Sequence, residues 1–281
     1  MVEKKLENLG KEFRLKRVID ENTNTSIIVA LDHGMTSPTF LDGLYDMKKR
    51  VKEAMDGGAD VIMMSKGFAH LTYKEFKKDR AWAMLLTASA LGTGKIGLNA
   101  RIGTVEEALI LGADSVVVFV PLATENEKEV IEFVAEVGKD CEKYGMVFIA
   151  EAEYPTTYES IDKLKGQWGF DYLMRNARLC AELGADIVKV NWSGDPDSFA
   201  KIVQATKVPV VVAGGTRVSD EELLVRMEEA KMAGAIGCSV GRNIFQHENP
   251  YAMTRAIVRI FKEGYSAREA LKELNETLKR K

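Results

Sequence analysis

The sequence has little of what marks several broad classes of protein. It holds three cysteines in 281 residues, Cys141, Cys180 and Cys238, an odd number with no CxxC spacing. That excludes a disulfide framework and points to reduced thiols in the cytoplasm. The histidines also number three, His33, His70 and His247, far apart and without HxxH or HxxxH spacing, so a histidine-rich metal site is not expected. Six prolines and no low-complexity tract leave no linker, which favours a single domain. No apolar run approaches the roughly 20 residues needed to cross a bilayer. The opening MVEKKLENLGKEFRLKRVIDE is charged throughout and lacks the apolar stretch of a signal peptide. Excess charge is missing as well. With 39 Lys+Arg against 42 Asp+Glu the net charge is −3, so neither nucleic acid nor a membrane surface is expected as the main partner.

What the sequence does have is a repeated phrase. GGADVIMMS (57–65), LGADSVVVFV (111–120), LGADIVKV (183–190) and AGAIGCSV (233–240) each follow a helix-like segment with Gly-Ala and then a β-rich run. The glycine suits a left-handed helix end, and the apolar run suits a parallel strand covered on both faces. Four more strand candidates lie between them: SIIVAL (26–31), KIGLN (95–99), MVFIAE (146–151) and VPVVVA (208–213). Eight strands alternating with helices predict a (β/α)8 barrel, an α/β fold of one domain spanning 1–281. Its expected parts are an N-terminal extension with an extra helix (about 1–22), the barrel (about 23–265) and a C-terminal helix (about 266–281). An open doubly wound sheet is the alternative, but the first strand is not followed by a GxGxxG turn. The connection at about 155–170 is long enough for a partial lid.

Barrel enzymes place their chemistry at the C-terminal ends of the strands. The first strand ends with Asp32 and His33, an acid able to hold an ammonium or move a proton, or simply to cap a helix. The second ends with Lys66 and the third with Asn99 and Arg101, all of which suit solvated turns. The fifth ends EAEYP, where alternation puts Glu151 and Glu153 on one face and Tyr154 on the other. Lys189 stands inside the sixth strand, followed by Asn191 and Trp192. A lysine there either snorkels to solvent or is a nucleophile with a lowered pKa. Periodicity alone does not say whether it faces the barrel or the helices. After strands seven and eight come Gly214, Gly215 and Thr216, then Gly241, Arg242 and Asn243. Two glycine turns in this pair of loops are a phosphate-binding pattern, and Arg242 adds charge. A phosphate site beside a lysine, with carboxyls opposite, is the equipment of an aldolase that works through a lysine iminium.

The motifs LDHG (31–34), VEEALILGAD (105–114), LGADIVKVNWSGDPDSF (183–199), VVVAGGTR (210–217) and VGRNIFQH (240–247) resemble the archaeal-type class I fructose-bisphosphate aldolases. Their relatives include 2-amino-3,7-dideoxy-D-threo-hept-6-ulosonate synthase, a transaldolase-type enzyme of aromatic amino-acid precursor biosynthesis. The resemblance implies that Lys189 forms the Schiff base, that Tyr154 is the proton donor and that Asp32 lies in the active site. It further implies that Gly214, Gly215, Gly241 and Arg242 bind phosphate, with His33 and Trp192 around the substrate. It implies a phosphorylated sugar or keto-sugar substrate, no cofactor, no metal, and a homo-oligomer, a decamer by resemblance. The sequence departs from the family at four points, one being a stretch from Gly145 to Tyr154 that is a residue longer than usual. Tyr154 is followed by Pro-Thr-Thr instead of Pro-Arg-Gly, Trp192 replaces a tyrosine, and Thr216-Arg217 replace Pro-Lys. These changes leave Glu151 and Glu153 as alternative proton donors and argue against assuming fructose 1,6-bisphosphate itself. A metal-dependent aldolase, an acyltransferase on the same barrel and a non-catalytic sugar-phosphate-binding protein are the remaining alternatives.

Overall fold

The computed structural model describes residues 8–89, 97, 99–156 and 158–280. Eight parallel strands close into a barrel: β1 (Ser26–Ala30), β2 (Val61–Met64), β3 (Ala81–Leu85), β4 (Ser115–Phe119), β5 (Val147–Ala152), β6 (Ile187–Val190), β7 (Val210–Ala213) and β8 (Gly237–Val240). Each pairs with its neighbours in sequence, and β1 pairs with β8 to close the ring. At that seam Gly237 leaves no room for a side chain, because a Cβ there would stand 1.9 Å from the Ser26 carbonyl oxygen.

The expected third strand is corrected. KIGLN falls partly on residues 95, 96 and 98, which lie outside the described residues. Its last residue, Asn99, instead opens a short strand, Asn99–Arg101, that pairs antiparallel with Thr87–Ser89 in a small ribbon. The third barrel strand is Ala81–Leu85, AWAML. Its inward positions include Ala81 and Ala83, members of the apolar cluster inside the barrel. Alanine has low strand propensity, so this run carries no clear strand signal in sequence.

Alternation splits the apolar residues into two layers. Ile28, Ala30, Val61, Met63, Val117, Val147, Ile149, Ile187 and Val211 fill the barrel. Ile27, Val29, Phe148, Val188, Val190 and Val212 face the helices. The helix Leu9–Val18 closes the N-terminal end of the barrel, with Val18 fully buried and Leu15 packed on the inner layer.

The Gly-Ala-Asp phrase has a structural use. Its glycines, Gly58, Gly112, Gly184 and Gly234, are all left-handed. Its aspartates tie each strand to the one before. Asp60 accepts from the Ile27 N–H (2.9 Å), Asp114 from Trp82 (3.1 Å) and Asp186 from Phe148 (2.8 Å). The other oxygen of each takes a cation: Lys262 and Arg80 on Asp60, Arg17 on Asp114, Lys11 on Asp186. Two of those cations come from the N-terminal helix, so the plug is anchored to the strands that it covers.

Candidate active site

The inward set continues past the apolar layer into polar residues at the C-terminal mouth. On β6 it runs Ile187, Lys189, Asn191. On β5 it runs Val147, Ile149, Glu151, Glu153, and on β1 it runs Ile28, Ala30, Asp32. Lys189 therefore faces into the barrel. Its Nζ lies 2.6 Å from Glu151 Oε1 and 3.5 Å from Glu153 Oε1. Lys189, Glu151, Glu153 and Asp32 are all buried.

Burial of an ammonium lowers its pKa, but here Glu151, Glu153 and Asp32 outweigh burial and hold Lys189 above its ordinary value. The expected lowered pKa is thus corrected: at rest the lysine is a charged ammonium. Burial pushes the Glu151 carboxyl up to about 7, with Lys189 opposing and Glu153 and Asp32 adding to the rise. For Asp32 burial acts upward, but His33 and Lys189 outweigh it and hold the carboxyl below its usual range. Asp32 occupies the N-cap position of the short helix His33–Thr36 without making a side-chain capping bond. Its carboxyl is left to the site, beside His33 Nδ1 at 3.2 Å.

Lys189, Glu153 and His33 stand where two lobes of the cavity meet. One lobe is lined by Asp32, Glu151, Thr36, Ser89, Phe119 and Tyr158. The other is lined by Gly214, Gly215, Ser239, Gly241 and Arg242, the expected phosphate region. Gly241 is required there, because a Cβ would stand 2.4 Å from His33 Cε1.

Two expected residues are absent from this cavity. Tyr154 faces outward, as the alternation of the strand dictates. It is fully buried, stacked on Tyr172 at 5.6 Å and on Trp168 at 6.0 Å, and its hydroxyl donates to the Gly169 carbonyl at 3.3 Å. Burial pushes its pKa up to about 12. Trp192 likewise packs outward on Phe199, ring centres 5.2 Å apart. Of the residues expected in solvated turns, Lys66 and Arg101 are exposed and Asn99 is half-buried. Lys66 pairs with Glu107 at 2.7 Å, Arg101 with Glu136 at 3.3 Å, and Asn99 donates to the Phe119 carbonyl at 3.2 Å.

Three polar residues of the site were given no role by the sequence reading. Tyr158 lines the first lobe, and the Arg242 guanidinium lies over its ring at 4.8 Å. It follows Tyr154 in YPTTY, so a second tyrosine was visible, but its direction was not. Asn191 shares the inward face with Lys189. Its amide oxygen takes the Tyr154 N–H at 2.8 Å, and its nitrogen lies 3.5 Å from Glu153 Oε1. Ser239 faces inward from β8, and simple alternation along that strand would have found it.

Comparison with known proteins agrees with this geometry. A family model described as DeoC/LacD family aldolase matches residues 26–247. The chain is 33% identical over 263 residues to 2-amino-3,7-dideoxy-D-threo-hept-6-ulosonate synthase of Halobacterium salinarum, covering 93% of this chain and 95% of that protein. It is 32% identical over 249 residues to 2-amino-3,7-dideoxy-D-threo-hept-6-ulosonate synthase 1 of Archaeoglobus fulgidus, covering 89% and 90%. Among solved structures it superposes on a Schiff-base-forming fructose-1,6-bisphosphate aldolase with a TM-score of 0.79 at 26% identity, covering 90% of this chain and 99% of that one. An archaeal fructose-1,6-bisphosphate aldolase with its catalytic lysine bound to the carbinolamine intermediate gives 0.78 at 25% identity, covering 90% and 99%. A closed eight-stranded barrel, carrying a match over most of its length, thus belongs to the DeoC/LacD family of aldolases.

Proposed function

We propose that this aldolase works through an iminium on Lys189 and acts on a phosphorylated ketose. The observation that carries this is the placement of the Lys189 amine, buried in the barrel mouth 2.6 Å from a carboxyl, with the glycine loops and Arg242 at its side. Glu151 accepts the ammonium proton when the substrate enters. The free amine adds to the ketone carbonyl, giving a carbinolamine. Glu151 returns the proton to the carbinolamine hydroxyl, which leaves as water, and the iminium forms. Glu153 takes the proton of the hydroxyl beyond the scissile bond. The electron pair of that C–C bond moves into the iminium, an aldehyde leaves, and the resulting enamine is protonated and hydrolysed. The glycine turns and Arg242 hold the phosphate so that the carbonyl meets the amine.

The two synthase relatives favour a second outcome of the same chemistry. In a transaldolase-type synthase of aromatic amino-acid precursors, the enamine adds to a second carbonyl compound before hydrolysis. We propose this as the alternative. A homo-oligomer in the cytoplasm goes with either, supported by the family resemblance. Among the described residues no helix is long and apolar enough to cross a membrane.

The test is borohydride reduction with dihydroxyacetone phosphate, followed by peptide mapping. A reduced adduct on Lys189 is expected. An adduct on another lysine, or none, overturns the assignment. Aldehyde release in the absence of an acceptor separates the aldolase from the synthase.

A further inference from the structure

Two buried side chains that the reaction does not use, Asn243 and Arg226, grip the loop that borders the phosphate lobe. Asn243 accepts the Val218 N–H at 2.9 Å and donates to the carbonyls of Gly214 (3.2 Å) and Thr216 (3.0 Å). Arg226, on the helix Asp220–Met232, donates to the same Gly214 carbonyl at 3.2 Å. Burying a guanidinium is costly, and the acid nearest to it, Glu222 at 3.1 Å, is itself mostly exposed.

We propose that Asn243 and Arg226 are positioning residues that turn the main chain of Gly214–Arg217 into an anion cradle for the substrate's phosphate. This rests on the reading that a phosphate docks beside Lys189. In a trans peptide the N–H points opposite to the C=O. With the carbonyls of Gly214 and Thr216 drawn back by Asn243 and Arg226, the N–H groups of Gly215 and Arg217 turn toward the side that faces the cavity. Gly215 is left-handed (φ 68°), the conformation that brings successive N–H groups to one concave side. The buried charge of Arg226 stands behind that concavity and favours an anion in it. A second observation points to a ligand in the same place. Ser239, 2% exposed and lining this lobe, has a hydroxyl with no hydrogen-bond partner among the described residues. It stands as a further donor to the same group.

The experiment compares half-saturation of borohydride trapping by dihydroxyacetone phosphate and by dihydroxyacetone. Asn243→Asp keeps the bond from Val218 but sets a carboxylate oxygen against two carbonyls. It is expected to raise the half-saturating concentration of dihydroxyacetone phosphate roughly tenfold or more. The value for dihydroxyacetone and the limiting trapping rate should stay close to those of the parent. Asn243→Ser and Arg226→Gln supply the same comparison if the first variant fails to fold. Equal losses for both probes, or no loss in any folded variant, overturn the positioning role. A parent protein that binds both probes equally well overturns the phosphate reading itself, before any variant is considered.

Discussion

Lys189 and Glu151 are direct partners across the β5–β6 ladder, and their side chains meet inside the barrel with Nζ 2.6 Å from Oε1. Parallel pairing sets the backbone register, and alternation sends both side chains inward. The proposed nucleophile is therefore held as an ammonium, beside a carboxyl whose affinity for a proton burial has raised. In the proposed mechanism the proton has only that 2.6 Å to travel.

Removing the nucleophile tests the core of this arrangement. Lys189→Met should lose turnover by several orders of magnitude and form no borohydride adduct, with the far-ultraviolet circular dichroism unchanged. Retention of near-parental turnover would move the chemistry to another amine.

The raised pKa of Glu151 gives a pH dependence with a definite sign. Below about 7 the carboxyl is protonated and no longer accepts the lysine proton, so the rate should rise with pH through an apparent pKa near 7. That value belongs to the carboxyl–lysine cluster as a whole. In Glu151→Gln the limb should vanish and the rate should drop by roughly 10²–10⁴. Stability runs the other way. Between the ordinary 4.5 and about 7 the folded chain holds a proton that the unfolded chain has released, so this group's contribution falls as pH rises through that window. Unfolding midpoints across the window, compared between parent and variant, check the sign.

The two tyrosines after β5 should behave differently. Tyr154→Phe loses only the bond to Gly169, at a cost of about 1 kcal/mol, and turnover should stay within about twofold, because a side chain outside the barrel supplies no acid–base chemistry. Tyr158→Ala removes the ring beneath Arg242 and should raise KM for a phosphorylated substrate roughly fivefold. The reverse ranking would return the proton-donor role to Tyr154.

The aspartate ties at the barrel's N-terminal end should affect stability and leave activity alone. Asp60 is 1% exposed and carries the Ile27 N–H together with Lys262 and Arg80. Asp60→Ala should cost about 3 kcal/mol in urea unfolding. Asp114→Ala should cost less, because its partner Arg17 is 38% exposed and keeps its water. Turnover per folded molecule should not change in either variant, since the candidate site lies at the opposite end.

The barrel and the candidate lysine were legible because they rest on local patterns: the Gly-Ala phrase, the apolar runs and a lysine breaking one of them. The third strand was not, because Ala81 and Ala83 give no strand signal and the true pairing is settled by partners distant in sequence. The site divided along the same line. Glu151 and Glu153 were correctly put on one face and Tyr154 on the other by alternation. Which face looks inward depends on the ring closing, and a single strand does not contain that information. The resemblance drew attention to Tyr154 and Trp192, yet both obey the alternation and face the helices. Tyr158, beyond the strand, is placed by a loop, where no period applies.

The seam between β1 and β8 sets a clock on synthesis. β1 is the first strand to leave the ribosome, and its second neighbour is the last. Until Gly237 slides against Ser26, one margin of β1 has no partner, and the nascent sheet stays an open strip with a bare edge available to any other chain. Closure of the ring therefore waits on the last of the eight strands, after the other seven have been made.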